Sequence, residues 1–118
     1  LPELEPGAGV DKRTAARLRK GRMPIEGRLD LHGMTQNQAR RELDQFLARA
    51  YDQDRRCVLV ITGKGLREDG SVGVLRGALP GWLNRPPNRA RVIAFSPATP
   101  RDGGEGALYV LLKRKRGR

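Results

Sequence analysis

Five consecutive apolar residues, Cys57-Val58-Leu59-Val60-Ile61, stand between the charged Asp54-Arg55-Arg56 and the polar Thr62-Gly63-Lys64-Gly65. A run this short and this continuous fits a strand buried on both faces, the central strand of a sheet with helices packed over it. A half-exposed strand alternates instead, and Leu29-Asp30-Leu31-His32 does so. Its period of two sends Leu29 and Leu31 to one face and Asp30 and His32 to the other. Between these segments lies a helical stretch. Thr35 followed by Gln38 is a capping box, and Ala39, Leu43, Phe46, Leu47 and Ala50 then recur at helical spacing.

Downstream, Val74, Leu75, Ala78, Leu79, Trp82 and Leu83 form a second amphipathic pattern, which Pro80 must kink or restart because it donates no backbone hydrogen bond. Residues 91–95 read as a third strand, 96–106 as a Pro/Gly-rich loop and 107–112 as a fourth strand. The order β-α-β-α-β-β predicts an α/β (α+β two-layer) sandwich: a four-stranded mixed sheet, largely parallel, covered by two helices and closed by a hairpin. Residues 1–27, with Pro2, Pro6, Gly7, Gly9, Gly21, Pro24 and Gly27, have the composition of an arm. Within it Asp11 can cap a short helix reaching Lys20, whose thin apolar face (Ala15, Leu18) must dock on something or stay mobile. The expected organisation is an arm over 1–27, a domain over 28–113 and a basic tail over 114–118.

With 118 residues, 37% of them hydrophobic, the chain has one domain's worth of core. No apolar run approaches the roughly 18–20 residues of a membrane span, so a membrane partner is not expected. There is no signal-peptide pattern, and the chain opens at Leu1 as a piece of a longer protein would. One cysteine rules out an internal disulfide and a multi-cysteine zinc site, and fits a reducing cytoplasm. One histidine rules out a histidine-pair metal motif. The formal charge of +11 points to a polyanion, DNA, RNA or ribosome, as partner. Aromatics at 4% are too few for a base-stacking platform. Residues 113–118 carry five cations and no anion, 1–27 six against four, and 28–112 thirteen against nine. The tail is either a solvated end or a phosphate-gripping arm.

Right-handed β-α-β connections put the C-terminal ends of parallel strands on one edge, where open α/β sheets place their ligands. Asp30 to Gly33 and Thr62 to Gly65 thus share a rim, and a returning antiparallel strand brings Asp102 to Gly106 to it. An Asp beside a His can orient the imidazole and fix its tautomer for general acid–base work. The alternative is that Asp30 caps the following turn and His32 bonds the loop backbone. Thr62-Gly63-Lys64-Gly65 can bring backbone amides and a lysine to an anion, or can be a tight turn. It lacks the Walker A spacing, so ATP use is not expected. Gly103-Gly104-Glu105-Gly106 reads as a hairpin turn, with Asp102, Glu105 and Asp30 as an alternative carboxylate set for a divalent ion such as Mg²⁺.

Taken together, Leu29-Asp30-Leu31-His32-Gly33-Met34-Thr35, Val60-Ile61-Thr62-Gly63-Lys64-Gly65, Gly73-Val74-Leu75-Arg76 and Gly103-Gly104-Glu105-Gly106-Ala107-Leu108-Tyr109-Val110 resemble the small MutS-related (Smr) domain. The resemblance covers about residues 28–113, and the 11–24 stretch is similar to the lead-in of stand-alone bacterial members. It implies a sandwich similar to the C-terminal domain of a bacterial translation initiation factor. It also implies endonuclease activity, either nicking of DNA or cleavage of RNA, including mRNA on stalled ribosomes. Cleavage in the family is associated with the motif matched by Asp30 and His32, and substrate binding with the one matched by Thr62, Gly63, Lys64 and Gly65. Arg67, Arg101, Gly103, Gly104 and the tail's Lys113, Arg114, Lys115 and Arg116 complete the expected nucleic-acid contacts. No cofactor is certain: attack by a ribose 2′-hydroxyl needs no metal, whereas attack by water calls for one. A non-catalytic DNA-, RNA- or ribosome-binding module is the alternative function.

Overall fold

The computed structural model describes residues 10–63 and 73–115; the expected roles of Lys64, Gly65, Arg67 and Arg116 fall outside these residues. Four strands, β1 (Arg28–Asp30), β2 (Cys57–Ile61), β3 (Val92–Pro97) and β4 (Ala107–Leu112), form one mixed sheet in the order β1-β2-β4-β3. β1 and β2 are parallel, while β4 runs antiparallel to both β2 and β3. The returning strand is therefore inserted between β2 and β3. Only one neighbouring pair is parallel, although β1, β2 and β3 all point the same way.

Helices α2 (Gln36–Asp52) and α3 (Val74–Leu83) cover one face. The capping box forms: Thr35 Oγ1 accepts from the Gln38 amide at 3.2 Å and Gln38 Oε1 from the Thr35 amide at 3.1 Å. Leu43 and Leu47 from α2 and Leu79 and Leu83 from α3 are fully buried against Leu31, Val58, Val60, Leu108 and Val110. Pro80 neither ends nor restarts α3. The helix runs through it to Leu83, with Pro80 itself buried, so tertiary packing outweighs the one helical hydrogen bond that proline cannot make.

On the opposite face lie residues 10–27 of the sequence's arm. Helix α1 (Lys12–Arg19) is capped by Asp11, whose carboxylate accepts from the Thr14 amide at 2.7 Å. Its buried Leu18 packs with Ala15, Met23 and Ile25 over Leu59, Ile93, Ala94, Tyr109 and Leu111. β2 is thus buried from both sides, as its unbroken apolar run required. β3 extends beyond the expected 91–95 because Ser96 and Pro97 still find partners in Tyr109 and Leu108 of β4. The rest of that loop is two short 3₁₀ turns, Pro100–Asp102 and Gly104–Gly106. Among the described residues no helix is long and apolar enough to cross a membrane.

Candidate active site

The C-terminal ends of β1 and β2 and the turn before β4 meet at one rim. Beyond β1 the Leu31 amide still donates to the Ile61 carbonyl, at 2.7 Å, so the chain holds the sheet's direction for one more residue. Gly33 then turns it with φ +81°, a left-handed conformation that favours glycine. Beside this turn stands Gly63, at φ +82°, where a Cβ would lie 3.5 Å from the Cβ of His32. Buried Thr62 completes the junction with the third segment. The Thr62 and Gly63 amides both donate to the Gly106 carbonyl, at 2.8 and 3.1 Å.

Asp30 and His32 form a pair on this rim. Asp30 Oδ1 lies 2.7 Å from His32 Nδ1 and accepts the His32 backbone amide at 3.0 Å. One Asp30 oxygen thus caps the turn and orients the ring, and the His32 ring bonds this carboxylate where the alternative reading had it bond the loop backbone. The imidazole hydrogen bond, followed by the backbone one, holds the Asp30 carboxyl below its ordinary 3.8. An ionised carboxylate only accepts, so Nδ1 carries a proton, and the neutral tautomer that this bond selects is the one with its lone pair at Nε2. The side chains are 70% (His32) and 51% (Asp30) exposed. Exposed ion pairs contribute little to stability, so what this pair supplies is orientation.

The third segment is tied down from both sides of the sheet. Tyr109, buried in β4, donates its hydroxyl to Asp102 Oδ2 and accepts from the Thr99 amide at 3.3 Å. Arg101 donates to the Gly21 carbonyl at 2.8 Å and pairs with Asp102 at 3.3 Å. From α3, Arg76 donates to the Glu105 carbonyl at 2.6 Å. The Tyr109 hydroxyl foremost, then Arg101, and also the charge of Arg28, hold the Asp102 carboxyl below 3.8 against partial burial.

These bonds revise two expectations. The amides of Thr62 and Gly63 serve Gly106, those of Gly103 and Gly104 donate to Pro100 and Thr99, and none of the four is left for an anion. Asp102 is engaged by Tyr109 and Arg101, and among the described residues no three His, Cys, Asp or Glu side chains gather to hold a metal ion. The trio of Asp30, Asp102 and Glu105 therefore does not form. The tail leaves from the opposite rim. Lys113 donates its amide to Arg91, Lys115 pairs with Asp52 at 3.3 Å, and Arg114 is exposed.

Sequence reasoning missed Tyr109, Gly21 and Arg28. A tyrosine in a wholly buried strand needs a partner for its hydroxyl, which was the available signal for the first. Nothing in the spacing announced that Gly21, 80 residues from Arg101 in sequence, would accept its hydrogen bond.

Comparison with known proteins agrees with this geometry. The Smr domain profile matches residues 29–113. YdaL of Escherichia coli, a stand-alone small MutS-related protein, superposes with a TM-score of 0.74 at 32% identity, over 90% of this chain and 79% of that one. The Smr domain of Thermus thermophilus MutS2 gives 0.63 at 33% identity, over 74% and 98%. Among curated relatives, the ribosome rescue factor SmrB of Photobacterium profundum is 38% identical over 104 residues, 88% of this chain and 54% of that protein. SmrB of Escherichia coli O157:H7 is 37% identical over 105 residues, 89% and 52%. The chain spans about half the length of the curated relatives it matches. With its sheet order, its rim and most of its length accounted for in this way, the chain belongs to the Smr domain family.

Proposed function

We propose that this chain is an endonuclease that cleaves phosphodiester bonds in RNA or DNA, with His32 as general base and Asp30 as its orienting partner. One observation carries the reading: the imidazole is held through Nδ1 at 2.7 Å by a carboxylate, while the ring stays open to solvent beside the Gly63 turn. An open, oriented base suits a polymeric substrate laid across the rim, and a closed pocket would not admit one. Nε2 takes the proton of a ribose 2′-hydroxyl or of a water as that oxygen attacks phosphorus. The same proton then returns to the departing oxygen. Lys64 and Gly65 stabilise the charge that develops on the phosphate. Thr62 and Gly63 form the turn that immediately precedes them in sequence, and Gly103 and Gly104 line the strand's approach, with Arg67 assigned a phosphate contact. A divalent ion such as Mg²⁺, if the water route is used, would be held by the Asp30 carboxylate together with substrate phosphate. The relatives' name, ribosome rescue factor, supports a ribosomal setting for this reading, and we take mRNA on stalled ribosomes in the cytoplasm as its substrate.

The test offers supercoiled plasmid and a structured RNA, with and without EDTA, to wild type, His32→Ala and Asp30→Ala. Wild-type cleavage is expected to fall about 10²–10⁴-fold in His32→Ala, the range for loss of a positioned base, and less in Asp30→Ala. Activity on RNA that survives EDTA assigns the 2′-hydroxyl route. Absence of product from wild type on both substrates removes the enzyme and leaves a binding module. Undiminished product in both variants keeps an enzyme and discards this pair.

A further inference from the structure

The sheet face that carries Asp30 also carries an unusual concentration of unpaired cations. Residues 11–22 hold six cations, Lys12, Arg13, Arg17, Arg19, Lys20 and Arg22, against the single acid Asp11. All six are exposed, and among the described residues none of their side chains has a hydrogen-bond or ion-pair partner. Helix electrostatics accounts for basic residues in the last turn of α1 but opposes Lys12 and Arg13 in its first. Nor does it bear on Arg22 and Arg28, which lie outside the helix.

Topology links this helix to the site. Leu29 and Leu31 pack toward α2 and α3, so the alternation of β1 turns Arg28 and Asp30 to the α1 side. Register then sets Arg28, Leu59, Tyr109 and Ser96 in one row across the four strands. Arg28 is about two strand spacings, roughly 10 Å, from Tyr109. Above Tyr109 lie the Gly21 turn and Arg101, close enough that a Cβ on Gly21 would come within 2.5 Å of the Tyr109 hydroxyl. The end of α1 is thereby fixed over the middle of this row. The side chain of Arg101 is 71% exposed, and it has donors beyond those used on Gly21 and Asp102.

We infer that Lys20, Arg22, Arg101 and Arg28 form a phosphate track that leads a nucleic-acid strand from the C-terminal end of α1, along the outer surface of that layer, to the exposed edge strand β1 and His32. The inference rests on the proposed nuclease site for the track's destination and adds α1 and Arg28 as its substrate-binding surface. Contacts are to phosphodiester oxygens, which position a strand without reading its bases. Such contacts do not see the 2′-hydroxyl, so RNA and DNA use the same residues. Across the sheet, helix α2 balances Arg40, Arg41 and Arg49 against Glu42, Asp44 and Asp52.

The experiment measures binding of fluorescein-labelled single-stranded RNA and DNA of one sequence by anisotropy, in a His32→Ala background where cleavage does not consume the probe. A track variant, Lys20→Glu with Arg22→Glu and Arg28→Glu, is compared with a control carrying the same charge change elsewhere, Arg40→Glu with Arg41→Glu and Arg85→Glu. All six side chains are exposed, and a melting curve for each variant checks the fold. The corresponding Gln variants replace any that melts early. The track variant is expected to bind at least about tenfold more weakly near 0.1 M salt. Its dependence of log K on log salt should fall by about 2, or about 0.7 per lost phosphate contact on a single strand. The control should keep the wild-type slope.

Equal weakening in the two variants would reduce the effect to net charge and overturn the track, as would wild-type binding by the track variant. Loss on both probes supports it, whereas loss on one alone would overturn a track that grips phosphates without sensing the sugar. The two readings fail separately. A wild type that cuts nothing while the track variant loses binding sinks only the nuclease, and a wild type that cuts while the track variant binds normally sinks only the track.

Discussion

Under α2 and α3 the sheet is sealed by two helices whose buried leucines interlock with Leu31, Val58, Val60 and Val110. Under α1 it is only partly covered, by eight helical residues and the Met23–Ile25 stretch, lying over β4 and β3. The first face is finished as a core. On the second, coverage reaches β2 and leaves Asp30 and His32 open at the edge strand. The charges follow the same division, balanced on α2 and one-sided on α1. A small α/β sandwich can thus place stability and recognition on opposite sides of one sheet. A polymer then reaches the reacting groups without a pocket being carved into the core.

The contrast is most directly broken by cutting one leucine from each face. Leu43 is fully buried beneath two helices, and Leu43→Ala is expected to cost about 4 kcal/mol, toward the upper part of the usual range for a cavity that cannot collapse. Leu18 is 2% exposed beneath a short helix that can shift, and Leu18→Ala is expected to cost about 2 kcal/mol, at the lower end. Urea denaturation gives both values. Equal losses would mean that the α1 face is as rigidly packed as the other, and the division proposed between them would not stand.

A smaller effect sharpens the same point at the end of α1. Gly21 has φ +68°, and an added Cβ meets the buried Tyr109 hydroxyl at 2.5 Å and Thr99 at 3.2 Å. Gly21→Ala should therefore cost about 1–2 kcal/mol, from the left-handed backbone and the close approach together. Amide exchange at Thr99 and Gly104, whose hydrogen bonds hold the neighbouring turn, should accelerate while amides under α2 stay protected. Unchanged exchange at those two positions would show that α1 and the glycine turn are not mechanically joined.

How much of this was legible beforehand follows from the range of the interactions involved. The capping box at Thr35 and the helix from Gln36, the continuous run of β2 and the alternation at Leu29 to Leu31 are local patterns, and each formed where its spacing put it. The Asp30–His32 bond was legible for the same reason, being two residues long. The position of β4 between β2 and β3 was not, because strand order depends on which edges pair and leaves no mark on hydrophobic period. Of the two outcomes expected at Pro80 a restart is excluded, because α3 is held as one helix by the core beneath it. The amide of Gly63 looked available for an anion because its partner, the Gly106 carbonyl, becomes visible only once the turn has closed. Longest in reach is the bond from Arg101 to Gly21, which makes the apparent arm part of the site's floor.

The smallest expected change on stability falls on the residue placed closest to the chemistry. Asp30 is held below 3.8 chiefly by the His32 imidazole, so the sign of its pH dependence is fixed: its contribution is present above 3.8 and is lost as pH falls through the lowered folded value. Because the carboxylate is half exposed, solvent screens the pair, and Asp30→Asn should shift stability at pH 7 by no more than about 0.5 kcal/mol. Asparagine keeps an acceptor for the His32 amide but no longer compels Nδ1 to carry the proton. Nε2 is then free to hold the hydrogen instead, and a base in that tautomer accepts nothing from the substrate. Stability and cleavage should therefore separate in this one variant. NMR titration of the wild-type Asp30 carboxyl should find a midpoint below 3.8, and ring ¹⁵N shifts at neutral pH should report Nδ1 protonated in wild type and a mixed tautomer in Asp30→Asn. A midpoint at 3.8 or above, or identical ring shifts in the two proteins, would mean that the carboxylate only caps the turn, and the open face would lose the group that gives its histidine a direction.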